Sequence, residues 1–213
     1  MQLQWSRSNT KLAKLGTVGF GIPAFESETG FKTCPMAGAC AGYCYARQGA
    51  YTFPVVKEAR ESNLAATQKT DDFKAKAMSD LRNMRNVTTV RVHDSGDFYS
   101  QEYLDAWYVI ARAFPNVVFY AYTKSIHLDL WSKKPRNFRI IQSVGGLMDA
   151  DINTRRPHSR VFPTDYARRK AGYGDGHVTD TLAIRGARKI GLVYHGTRDL
   201  TPAQERYLNA NEV

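Results

Sequence analysis

Short apolar runs alternate along the chain with segments whose apolar residues recur at helical spacing. The runs are rich in β-branched and aromatic residues, which favour strands, and this alternation is typical of βα units with a mostly parallel sheet. The predicted strands cover residues 17–25, 88–93, 117–123, 138–144 and 190–195, with a shorter one at 160–162.

Helix signals lie between these runs. Pro54 precedes a predicted helix over 55–68, and a second helix over 71–84 places its apolar residues on one face. Ser100 is a capping residue for the helix after the second strand, and Thr201 caps a closing helix that reaches Asn209. The polar, glycine-rich segment 172–181 is predicted to be a loop.

About six βα units can be counted in a chain of 213 residues. A closed eight-fold barrel usually needs ~250 residues. The sequence therefore predicts a single α/β domain over 1–213, built as a small or incomplete (β/α) TIM-like barrel of about six to eight strands. An open doubly wound sheet is the alternative.

All three cysteines, Cys34, Cys40 and Cys44, lie within eleven residues, in the loop 32–47 after the first predicted strand. Their spacing is C-x5-C-x3-C, and glycine and other small residues between them let the backbone approach an inorganic core. Cysteine thiolates are the usual ligands of iron–sulfur clusters. Because three thiolates leave one coordination site unfilled, the loop predicts a [4Fe-4S] or [3Fe-4S] cluster. Zinc is the competing metal, and thiols without a metal are the remaining alternative.

Polar residues follow two of the other strands, at the edge where parallel sheets gather their chemistry. The turn His93-Asp94-Ser95-Gly96-Asp97 is a candidate for ligand binding or proton handling, and Lys124 for neutralising an anionic cluster or ligand. Asp94, Asp97 and Lys124 are thus candidate catalytic residues, and His93 and Tyr43 candidate contacts to a cofactor. The alternative is a turn whose aspartates cap backbone groups, an exposed lysine and a packing tyrosine. His195, at the end of the last strand, is a weaker candidate.

The run Cys-Pro-x4-Cys-x3-Cys-Tyr-Ala-Arg, followed by Val-His-Asp-Ser-Gly-Asp-Phe and Tyr-Thr-Lys, resembles a family of small phage-encoded iron–sulfur proteins. These are similar in plan to radical S-adenosylmethionine enzymes on (β/α) barrels. The resemblance implies a cluster on Cys34, Cys40 and Cys44, with Ser95, Gly96 and Asp97 where such enzymes hold the methionine amine of S-adenosylmethionine. The usual spacing in radical enzymes is C-x3-C-x2-C, which differs from the spacing here.

Charge and composition leave three functions open. The sequence carries a net charge of +10, which suits either an acidic redox partner or nucleic acid. The first hypothesis is a ferredoxin-like electron-transfer protein, the second a radical enzyme that cleaves S-adenosylmethionine, and the third a zinc-stabilised nucleic-acid-binding module. The sequence has no apolar run of membrane length and no apolar leader, so we expect a cytoplasmic protein, in the host cytoplasm if it is phage-encoded, with no membrane partner.

Overall fold

The computed structural model describes residues 2–7, 16–176 and 179–210, which form eight strands in one sheet. The order across the sheet is β1-β2-β3-β4-β5-β6-β8-β7, with β1 antiparallel to β2 and every other neighbouring pair parallel. The strands are β1 Trp5–Ser6, β2 Thr17–Phe20, β3 Thr89–Val92, β4 Val118–Thr123, β5 Phe138–Ser143, β6 His158–Phe162, β7 Gly174–Asp175 and β8 Lys189–Val193.

Seven α-helices connect or follow these strands within the described residues. The helices are α1 Cys40–Tyr43, α2 Pro54–Thr67, α3 Thr70–Asn83, α4 Gln101–Arg112, α5 Asp165–Lys170, α6 Thr181–Arg185 and α7 Pro202–Ala210. Short 3-10 turns cover Tyr45–Arg47, Gly49–Thr52 and Asp149–Asp151. Proline and capping residues determine where two of the helices begin. Pro54 is the first residue of α2, and the Ser100 hydroxyl accepts a hydrogen bond from the Tyr103 N–H at the start of α4.

The α/β prediction is confirmed, and the sheet is open. From β1 to β6 the strand order follows the chain order, whereas a doubly wound sheet reverses direction near its middle. Successive parallel strands laid side by side in chain order are the arrangement of an incomplete (β/α) barrel.

Several predicted boundaries differ from the structure. The first predicted strand was drawn too long, because β2 ends at Phe20 and the chain then turns toward Phe25, which has a φ of 70°. The predicted loop 172–181 contains the two-residue edge strand β7, while its positions 177–178 lie outside the described residues. Two-residue strands such as β1 and β7 are too short to show an alternating pattern.

The two faces of the sheet bury different chemistry. Val18, Phe20, Val90 and Val92 face the main core, where they pack with aromatic and aliphatic residues of α3 and α4. The intervening residues point to the opposite face because side chains alternate along a strand. That face carries Gly19, Arg91 and Tyr122, which line a cavity, and it packs against α6 at Ala183.

Among the helices of the described chain, none combines the length and apolar character that crossing a lipid bilayer requires.

Candidate metal centre

Two loops at the carboxyl edge of the sheet hold the cysteines. The cysteine loop, residues 32–47, follows β2, and the glycine loop, residues 144–148, follows β5. The backbone N–H groups of Gly38 and Cys40 both donate to the Gly145 carbonyl, at 3.2 and 3.0 Å, and the Leu147 N–H donates to the Met36 carbonyl at 3.0 Å. The cysteine loop is thereby fixed to the rigid end of a central strand.

Glycine is required where these loops meet. A Cβ at Gly145, whose φ is 113°, would lie 2.6 Å from the Tyr43 hydroxyl oxygen and 3.0 Å from the Cys40 Cβ. A Cβ at Gly38 would lie 2.8 Å from the carbonyl carbon of Gly146. Any larger residue would push the loops apart.

A carboxylate stabilises the glycine loop from the other side. Asp149 accepts bonds from the N–H groups of Gly145 and Gly146 at 2.8–3.0 Å. The Tyr207 hydroxyl of α7 donates to the same carboxylate at 3.0 Å, and the Gln204 side chain donates to the Gly42 carbonyl at 2.9 Å. Helix α7 therefore packs over both the cysteine loop and the glycine loop with its Asp149 support.

The three thiols lie close enough to influence one another electrostatically. Burial, followed by the nearby Asp97 carboxylate, raises the pKa of Cys34 to about 12, with smaller contributions from Cys44 and Cys40. Burial also raises the pKa of Cys44. Because the charged forms are disfavoured, thiolates at this position need a cationic partner to be stable. The Phe25 N–H is one favourable contact, since it donates to the Cys34 sulfur at 3.3 Å.

Lys124 brings a partly buried positive charge to the thiols. Burial alone would lower the pKa of its ammonium group, but Cys40, Asp97, Cys44 and Cys34 together raise the pKa above its usual value. The ammonium donates to the Ser143 hydroxyl at 2.9 Å. The end of β4 thus supplies a fixed cation to the cysteine cluster.

Asp97 positions that lysine. Its carboxylate accepts bonds from the Lys124 N–H at 2.8 Å, the Thr123 hydroxyl at 2.6 Å and the Phe98 N–H at 2.7 Å. Its own N–H donates to the Thr33 carbonyl at 3.2 Å, which joins the turn after β3 to the cysteine loop. These bonds hold Asp97 against the cysteine loop. Its carboxylate already accepts three hydrogen bonds from neighbouring residues.

Ser95 and Gly96 are also packed within the protein. The Ser95 hydroxyl donates to the Ile22 carbonyl at 2.7 Å, and a Cβ on Gly96 would lie 2.2 Å from a side-chain carbon of Ile22. With Asp97 engaged as well, this turn does not fit the incoming amine of S-adenosylmethionine, so we derive no step through that molecule.

The other candidate residues, His93, Asp94, Tyr43 and His195, lie in three different parts of the structure. His93 is buried against Phe98 and its Nε2 lies 3.0 Å from the Tyr103 hydroxyl; burial lowers its pKa to about 3, so the ring is neutral. Asp94 forms an ion pair with Arg60 at 2.6 Å.

Tyr43 is buried beside the cysteines, where burial and Cys40 raise its pKa. The His195 ring stacks on Tyr45 with centroids 5.4 Å apart. The structure thus brings Tyr43, Asp97 and Lys124 to the cysteines, and places His93 in the main core.

A single metal ion finds no compact ligand set in the described parts of the chain, where no group of three or more His, Cys, Asp or Glu side chains is arranged to hold one. Zinc draws its sulfur ligands to about 2.3 Å from one centre. A cluster spaces its thiolates more widely, because several irons and sulfides lie between them. The described residues thus show no preformed site for a single ion, and whether the thiols hold a cluster or zinc stays a prediction.

Sequence reasoning placed Ser143 at the end of a strand but missed three other residues that build this centre: Phe25, Gly145 and Asp149. The pair Gly145-Gly146 directly after a predicted strand was the available signal, because adjacent glycines at a strand end permit close backbone approach. Phe25 carried no signal, since an aromatic residue rarely adopts a positive φ.

Comparison with known proteins gives one match. A family model described as Gene product 88 matches residues 3–206. That description is of the phage gene-product type, in line with the phage part of the resemblance, and it names no cofactor or activity. No curated protein and no solved structure matches the chain.

Proposed function

The chain belongs to the Gene product 88 family, and we propose that it is an electron-transfer protein whose iron–sulfur cluster is held by Cys34, Cys40 and Cys44. The observation that carries this proposal is that all three cysteines of the chain lie at one edge of the sheet, beside the partly buried ammonium group of Lys124. Three thiolates and a cluster form an anionic group, and a fixed cation offsets part of that charge.

The donor set fits a cluster. Thiolates are soft ligands that suit iron–sulfur centres, and glycines at the points of closest contact let the glycine loop pack directly against the cysteine loop. When bound, the cluster supplies one-electron redox chemistry. The chain's own residues hold it in place, partly shield it from water, and direct the Phe25 N–H to one ligand sulfur, a contact that tunes potential.

Electron transfer is favoured over radical chemistry by the surroundings of the cysteines. The turn expected to hold the amine of S-adenosylmethionine is occupied by bonds within the chain. An electron-transfer protein needs only a cluster near the surface, and each cysteine is partly exposed.

We propose that the partner has an acidic surface. Lys32 and Arg47 stand at the two ends of the cysteine loop and are both exposed, in a chain of net charge +10. Opposite charge speeds the encounter of redox proteins. A reducing cytoplasm, that of the host for a phage protein, would keep the three thiols available for cluster assembly.

The test is anaerobic reconstitution of the purified chain with iron and sulfide, followed by metal and sulfide analysis, visible absorbance and EPR spectroscopy. We expect three to four irons per chain, with matching sulfide, for the [3Fe-4S] or [4Fe-4S] cluster. Cys34→Ser, Cys40→Ser and Cys44→Ser should each lose most of the iron. Ala39→Ser is the matched control, since it adds the same hydroxyl at an exposed position of the same loop.

Two outcomes would contradict the proposal. The first is wild-type protein that stays colourless and free of iron and sulfide after reconstitution. The second is unchanged iron content in all three serine variants, which would place the metal elsewhere. Stoichiometric zinc in place of iron in protein from cells would revive the zinc module, and its affinity for nucleic acid should then fall with salt.

A further inference from the structure

A strongly basic edge lies where the chain enters three neighbouring strands. The segments 134–139, 153–158 and 185–189 lead into β5, β6 and β8, which follow one another across the sheet. Together the segments contain eight lysines and arginines and no aspartate or glutamate. These eight residues form the basic edge: Lys134, Arg136, Arg139, Arg155, Arg156, Arg185, Arg188 and Lys189.

Contacts bring the first two segments together. The Arg156 guanidinium lies over the Trp131 ring, 4.0 Å from the ring centroid. Burial, followed by the positive charges of Arg139 and Arg156, lowers the pKa of Lys134, so these three cations act on one another. The Lys134 ammonium donates to the Phe138 carbonyl at 2.9 Å, which fixes it in place without neutralising its charge.

The third segment packs on both of the others. A Cβ at Gly186 would lie 3.2 Å from the Arg139 Cδ, which places the turn after α6 against the start of β5. The His158 N–H donates to the Arg188 carbonyl at 2.9 Å, which joins the third segment to the second. The basic edge is therefore one cluster of cations.

The positive charges of the basic edge are not neutralised by carboxylates within the described chain. None of its eight side chains forms an ion pair there, whereas the neighbouring Lys133 pairs with Asp105 at 2.6 Å. Six of the eight residues are exposed, and Lys134 and Arg139 are partly exposed. Because these like charges repel one another, an anionic partner would stabilise them.

The surroundings of the basic edge favour a phosphate polymer over a protein or a lipid surface. Protein interfaces have an apolar core, and helices at a membrane surface insert apolar side chains. The large hydrophobic side chains that are exposed in the described chain all lie outside the three segments: Phe53, Val55, Val109, Leu147 and Tyr166. Guanidinium groups, which are six of the eight cations here, bind phosphate oxygens through two parallel hydrogen bonds.

An intact duplex suits this edge better than a single strand. Proteins hold single strands by stacking the bases on exposed aromatic rings. At the basic edge, Phe138 and His158 are buried and Arg156 covers Trp131, so these rings are not free for stacking. Double-stranded DNA carries one negative charge per ~1.7 Å of its axis, which suits eight cations placed close together.

We propose that the basic edge binds the phosphate backbone of double-stranded DNA without preference for sequence. Helix α6 has only five residues and the adjoining strands belong to the sheet, so these segments offer no helix or ribbon that can enter a groove and read bases. The basic edge is separate from the proposed cluster, because it lies at the amino ends of its strands whereas the cysteines follow the carboxyl end of β2.

The experiment is a titration of a fluorescently labelled duplex of about 20 base pairs, two helical turns, with the purified full chain, followed by fluorescence anisotropy. A second duplex of different sequence should bind with an affinity within about threefold of the first. If about four to six phosphates are contacted, log affinity should fall with log salt at a slope of roughly −4 to −5. That slope is about a 10²- to 10³-fold loss of affinity between about 50 and 200 mM salt.

Charge reversals locate the binding. Arg185→Glu combined with Arg188→Glu should weaken duplex binding at least roughly tenfold and make the slope shallower by about 2, because two phosphate contacts are lost. Arg47→Glu combined with Lys57→Glu makes the same change in net charge at exposed positions beside Ser95, and should weaken binding by less than about threefold. Arg188→Lys keeps the charge and should keep the slope. A melting temperature is measured for each variant, so that a folding defect is recognised.

Absence of duplex binding by the folded wild-type chain at about 50 mM salt would overturn the proposal. Equal weakening by the two double reversals would overturn the location, and tighter binding of a single strand of the same length would overturn the choice of a duplex. Binding to vesicles that contain phosphatidylserine, with no binding to DNA, would assign the basic edge to a lipid surface instead.

Discussion

At the scale of single residues, the charges around the cysteines suit the anionic centre that we propose there. Cys34 and Cys44 are partly exposed thiols whose pKa values are raised, and Lys124 is a partly buried lysine whose pKa is raised by the thiols and Asp97. These shifts indicate one coupled group of charges. Asp97 contributes through the backbone, because its carboxylate fixes the segment that carries Lys124.

Replacement of Lys124 tests this coupling. A nearby positive charge stabilises the reduced, more negative cluster, so Lys124→Met should lower the reduction potential. Removal of one unit charge beside the cluster, at an effective dielectric constant of about 20, corresponds to a shift on the order of 100 mV for a one-electron couple. The measurement is a redox titration followed by EPR or visible absorbance.

Lys133→Met is the control for Lys124, because Lys133 is an exposed lysine paired with Asp105 and should leave the potential unchanged. Equal potentials in wild type and Lys124→Met would show that the ammonium does not act on the cluster.

At the scale of secondary-structure elements, the centre depends on the contact between two loops from different strands. The cysteine loop after β2 and the glycine loop after β5 share hydrogen bonds at Gly145, and that residue has both a positive φ and contacts at 2.6–3.3 Å. Gly172 also has a positive φ, at 71°, but a Cβ there would meet nothing within 4 Å. Comparing the two glycines therefore distinguishes the cost of backbone strain from the cost of crowding by neighbouring atoms.

Alanine substitutions at these glycines should therefore differ. Gly172→Ala should cost only the strain of a left-handed residue, about 1–2 kcal/mol. Gly145→Ala should cost a further ~1–3 kcal/mol from overpacking, and should release iron more readily because the Cβ presses on Cys40 and Tyr43. Denaturant unfolding and the rate of iron loss to a chelator check both. Equal effects of the two substitutions would show that the close contact between the cysteine loop and the glycine loop is not required.

The sequence predicted the elements better than their contacts. Short apolar runs rich in β-branched and aromatic residues located β3, β4 and β5, and the cysteine spacing located the loop, because these are local patterns. Lys124 and Asp97 could be suspected from their positions at strand ends. The contact between Cys40 and Gly145 could not be predicted, since it depends on which strands become neighbours and how their loops bend.

At the scale of the whole molecule, an open sheet gives the chain two distinct polar regions. The carboxyl edge gathers the cysteines, and the face opposite the core lines the cavity with Arg91, Asp94 and Asp180. The paired polar residues of the cavity were missed by sequence reasoning, except for Asp94, because Arg60, Arg91 and Asp180 come together only when the strands and helices assemble.

The net charge of +10 leads to a prediction about association. If the cluster exchanges electrons with an acidic protein, the second-order rate of reduction by an acidic ferredoxin-type donor should fall as salt is raised, since screening shortens to about 8 Å at physiological ionic strength. We expect at least a roughly tenfold decrease between low salt and about 0.5 M salt in stopped-flow measurements. Arg47→Glu should reduce the low-salt rate, because Arg47 is exposed at the end of the cysteine loop.

Lys170→Glu makes the same change in net charge on α5, which packs against β6 and β8, and should have a smaller effect. Equal effects of these two variants would indicate attraction by overall charge without docking at the cysteine loop. A rate that is independent of salt would contradict an acidic partner altogether, because the encounter of opposite charges in water is always weakened by screening.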